Sequence, residues 1–136
     1  MDKMKTVFDK KLNVIIPGTS LTPLDLKAAG HTLTDYTIFP DRKIEDAESN
    51  ALGKLETARE LGITFVLAEA QDMTGRMMYE IHKVLVGEKE YKEGFHIILV
   101  LDDPKHLMFL SDEFMKNFAV LNFDGTFNEE YTEKAV

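Results

Sequence analysis

The run Phe95-His96-Ile97-Ile98-Leu99-Val100-Leu101 decides the fold class. A strand with one wet face alternates apolar and polar residues. This one is apolar on nearly every successive residue, as a strand covered on both faces must be. Working outward, four more short runs follow: Val14-Ile15-Ile16, closed by Pro17-Gly18; Tyr36 to Phe39, closed by Pro40-Asp41; Ile63 to Ala68; and Phe118 to Phe123.

The segments between them carry a helical period. From Ile44 the apolar positions are Ala47, Ala51, Leu55, Ala58 and Leu61, with charged residues mostly between them. Gly62 stands where a helix end wants positive φ. The small alanines predict a helix lying close against a sheet. Met73 to Val86 is similar, with Met77, Met78, Ile81, Val84 and Leu85 on one face and Gly87 at the end. A first helix starts at Thr22-Pro23 and ends at Gly30; a fourth starts at Asp103-Pro104 and breaks at Ser111, before Asp112-Glu113. Lys5 to Leu12 reads as an extra edge strand or an unstructured lead-in. After Phe118 two readings stay open. Asp124-Gly125 suits a hairpin turn, whereas Thr126 with Glu129 three residues on forms a capping box for a last helix.

Strands alternating with helices predict an α/β fold. The expected form is a three-layer sandwich around a mainly parallel five-stranded sheet. Its flavodoxin-like order, 2-1-3-4-5, is the commonest arrangement at this size. At 136 residues the chain fits one domain, residues 1–136, with 44% hydrophobic and 29% charged residues.

Composition also narrows function. With no cysteine, disulfides, thiolate metal sites and cysteine nucleophiles are excluded. A net charge of −8 repels phosphate backbones and anionic bilayers, so neither nucleic acid nor membrane is an expected partner. The N-terminus lacks the apolar segment of a secretory signal, and the expected location is cytoplasmic.

In this architecture ligands bind beyond the carboxyl ends of the strands. After the first strand come Pro17-Gly18-Thr19-Ser20-Leu21-Thr22. Gly18 permits close approach, Thr19, Ser20 and Thr22 bring hydroxyls, and a helix start brings free N–H groups, which together suit an anion. The loop resembles the hydroxyl-rich phosphate loop of flavodoxins, with Leu21 where that loop has a glycine. No tryptophan is available to stack on an isoalloxazine. The loop also lacks the Lys-Ser/Thr ending of a P-loop. The plainer reading is a turn with Thr22 as helix cap.

Glu69, Asp72, Asp102 and Asp103 converge on the same rim, where carboxylates could hold magnesium or a cationic group. The plainer alternative makes Asp72 and Asp103 caps and leaves the other two solvated. A phosphoacceptor receiver would need acids after its first strand, where Pro17-Gly18 stand here. The four histidines show no metal-pair spacing, and no metal site is predicted. Only His106, near Asp102 and Asp103, could pair with an acid as a general base. A Gly-x-Ser-x-Gly elbow is missing.

The leading expectation is a small binding or regulatory domain holding an anionic or phosphate-bearing small molecule through Gly18, Thr19, Ser20, Thr22, Glu69, Asp102, Asp103 and His106. The alternative is a ligand-free protein-interaction domain acting through a helix face. Met73, Met77 and Met78 suit an adaptable partner surface, with a homo-oligomer open, and the plainer reading makes the same stripe core. A small enzyme using the acidic rim is third. Neither a cofactor nor a reaction follows from the residues.

Overall fold

The computed structural model describes residues 7, 10–16, 35–38, 44–68, 70, 73–101, 105 and 110–120. Its strands are β1 (Val14–Ile16), β2 (Asp35–Ile38), β3 (Thr64–Ala68), β4 (His96–Val100) and the two-residue β5 (Ala119–Val120). Its helices are α1 (Ile44–Leu61), α2 (Gly75–Leu85) and the single turn α3 (Asp112–Met115). The fold is α/β, and every strand pairing is parallel.

Successive residues on the strands feed two separate cores. Ile15, Phe65, Leu67, Ile97, Leu99 and Val120 face α1, α2 and α3 through Ala51, Leu55, Ala58, Met77, Ile81 and Phe114. Val14, Ile16, Val66, Ile98 and Val100 face the other way, together with Val7 and, at the margin, Leu12. All five residues of β4 are buried, which is what its unbroken apolar run requires.

The strand order corrects the expectation: it is β2-β3-β4-β1-β5, not 2-1-3-4-5. Residues 17–34 are long enough for either crossover, so loop length leaves the order open. Beside the ladder that pairs β1 with β4, bonds at the amino ends of the strands join the two. The Ile97 N–H donates to Asn13 Oδ1 at 2.8 Å, and His96 Nδ1 donates to the Leu12 carbonyl at 2.7 Å. Wholly apolar β1 thereby gains a strand on each side, while β2, the more polar Asp-Tyr-Thr-Ile, takes an edge.

Helix α1 spans the residues its period predicts, and Gly62 follows at φ 72°. Leu61 departs from the predicted stripe. It is 58% exposed, although Ala58 one turn earlier is fully buried. The cap of α2 is also corrected: Thr74, not Asp72, accepts the Met77 N–H, at 3.1 Å. Ser111 caps α3 in the same way, as the expected break there implies. Neither reading of residues 5–12 holds at the described positions. Val7 and Lys10 are helical, Lys11 takes φ 55°, and the Leu12 N–H reaches the Val7 carbonyl at 3.0 Å. That bond is a Schellman closure, with Val7 and Leu12 as its apolar pair. The helix expected at 22–30, that expected from 103 apart from Lys105 and Leu110, and the hairpin or helix after residue 120 lie outside the described residues.

Among the described residues, no helix is long and apolar enough to cross a membrane.

Candidate functional site

Because all strands run parallel, Ile38, Ala68, Val100, Ile16 and Val120 end on one edge of the sheet. Ile16 pairs with Val100, and the Leu101 N–H extends the ladder to the Ile16 carbonyl at 2.9 Å. The chain leaves this adjacent pair in opposite directions. From β1 it travels past β4 and β3 to β2; from β4 it travels past β1 to β5. In open α/β sheets, ligands bind beyond the carboxyl ends of the strands where the order reverses.

Gly18, Thr19, Ser20, Thr22, Glu69, Asp102, Asp103 and His106 all lie outside the described residues. The strand ends that carry them do not. These are β1, β3 and β4, three neighbours in the sheet. Strands are spaced about 4.8 Å apart, so the loops after β1 and β4 start about one spacing apart and the Glu69 loop about one further. The order 2-1-3-4-5 would have inserted β3 between β1 and β4.

No family model matches this chain, and no curated protein matches it in sequence. The geometry therefore carries the reading alone.

Two other histidines are described, and each has a partner. His96 is fully buried on β4, with Nδ1 donating to Leu12 and Nε2 accepting from the Thr64 hydroxyl at 2.9 Å. The Leu12 carbonyl can only accept, which puts a proton on Nδ1, and the Thr64 hydroxyl can donate to the unprotonated Nε2 of the neutral ring. Burial pushes its pKa below 6.5; the Leu12 carbonyl opposes this and the Lys11 charge adds to it. This ring fastens the amino edge of the sheet, the edge opposite the carboxyl ends.

His82 on α2 faces Asn117 across 3.4 Å. With Gly75, Met78, Tyr79, Ser111, Glu113 and Phe114 it lines a cleft of about 330 Å³ between α2 and α3. Sequence reasoning missed this cleft. Tyr79 and His82, three apart on the wetter side of α2, were its signal. The methionines divide: Met73 and Met77 are buried in the core, and Met78 is half-buried at the cleft.

The perturbed carboxylates of the described residues belong to structural ion pairs. Arg59 hydrogen-bonds Glu56 and holds its pKa down, and Lys89, with Lys83 second, does the same for Glu80. Lys89 Nζ lies 2.7 Å from Glu80 and 3.5 Å from Glu56, bridging α1 and α2. Among the described residues, no group of three or more histidines or acids is placed to hold a metal ion.

Proposed function

We propose that the protein is a small, single-domain, cytoplasmic binding or regulatory module. Its ligand is an anionic or phosphate-bearing small molecule, held in the crevice between the carboxyl ends of β1 and β4. One observation carries the reading: these strands are neighbours from which the chain departs in opposite directions. The hydroxyl-rich loop at Gly18 to Thr22 follows one of them, and Asp102, Asp103 and His106 follow the other. Backbone N–H groups and hydroxyls of the first loop receive the anion; the acids and His106 discriminate among the groups it bears.

The layer arrangement belongs to the same proposal. Connections from β2 to β3, β3 to β4 and β4 to β5 move one way across the sheet, and their described helices share one face. A crossover of the same hand that runs back from β1 to β2 takes the other face. The Val14, Val66 and Ile98 core is then roofed and the sandwich has three layers.

Thermal melting with inorganic phosphate, a nucleotide and a flavin as probes tests the site. A ligand that binds only the folded state adds roughly 2.7 kcal/mol at about a hundred times its Kd, a readily measured rise in Tm. Gly18→Val should abolish the rise while circular dichroism still reports a folded chain, because close backbone approach is lost. Thr22→Ala should lower stability by about 1 kcal/mol yet keep most of the ligand effect. If no probe shifts the wild type, the anion site is wrong.

The second reading, an interaction domain acting through a helix face, is favoured by the α2–α3 cleft. There Tyr79 stands 58% exposed beside Met78 and Phe114.

A further inference from the structure

We draw no further inference here: the strongest candidate, the cleft between α2 and α3 lined by Met78, Tyr79, His82 and Phe114, is an apolar groove and nothing in the structure shows what covers it.

Discussion

His96 is a buried polar side chain at the start of an otherwise apolar strand, and the structure tolerates it because both ring nitrogens are bonded. An imidazole left unpaired there would lose the solvation it has in water. Its neutral form makes folding sensitive to acid. In the unfolded chain the ring takes up a proton near pH 6.5; in the folded chain burial, the dominant effect, delays that uptake. Below about pH 6.5 the unfolded state therefore binds more protons. The contribution is intact above that pH and is lost as pH falls through the depressed folded value. Urea unfolding from pH 7 to pH 5 should show wild-type stability falling more steeply than that of His96→Asn, which keeps a donor for Leu12. Parallel pH profiles would show that the ring titrates alike in both states. A second residue-scale constraint is the meeting of Gly62 and Gly94. A Cβ on Gly94, at φ 102°, would lie 2.4 Å from the Gly62 carbonyl oxygen. Gly94→Ala should thus destabilise by more than about 1 kcal/mol in denaturant titration. A neutral result would rule out this backbone contact in solution.

At the scale of elements, α1 shows how side-chain size sets spacing. Ala51 and Ala58 are fully buried against the sheet, with Leu55 between them. Small residues let the helix axis approach, and a larger one has nowhere to go in a close-packed interior. Ala51→Leu is expected to destabilise by ~1–3 kcal/mol through overpacking, measured by thermal or urea unfolding. Should it be neutral, α1 does not lie on the sheet through this stripe. The far end of α1 is fastened differently. The Lys92 N–H donates to the Arg59 carbonyl at 2.9 Å, and Arg59 Nη1 donates to the Glu90 carbonyl at 2.7 Å. The segment before β4 thereby satisfies part of the helix end that would otherwise be unpaired. The half-exposed ion pairs around Lys89 add little to stability by comparison, because water screens them.

For the whole molecule, a net charge of −8 dominates encounters with other polyanions. Association with DNA or RNA at physiological salt is expected to be undetectable below micromolar concentrations, since each phosphate approaches an acidic surface. A tight, salt-dependent complex in a fluorescence anisotropy titration would refute this. Much of the architecture was legible before any coordinates. Phe95 to Leu101 and Val14 to Ile16 had to be strands covered on both faces, because no alternation spared a side for water. The three- and four-residue steps from Ile44 to Leu61 had to make one helix, ended by a glycine at positive φ. The loops named for the site follow from those elements, since a parallel sheet puts every carboxyl end on one edge. Strand order was not legible. Residues 17–34 span one strand or three with similar ease, and apolar content alone does not choose a neighbour for β1. The neighbours meet through contacts between residues 84 apart in the chain, among them Asn13 with Ile97 and Leu12 with His96. Their pairing satisfies buried polar groups only once the strands are assembled. For the same reason only the tertiary structure made β1 and β4 neighbours.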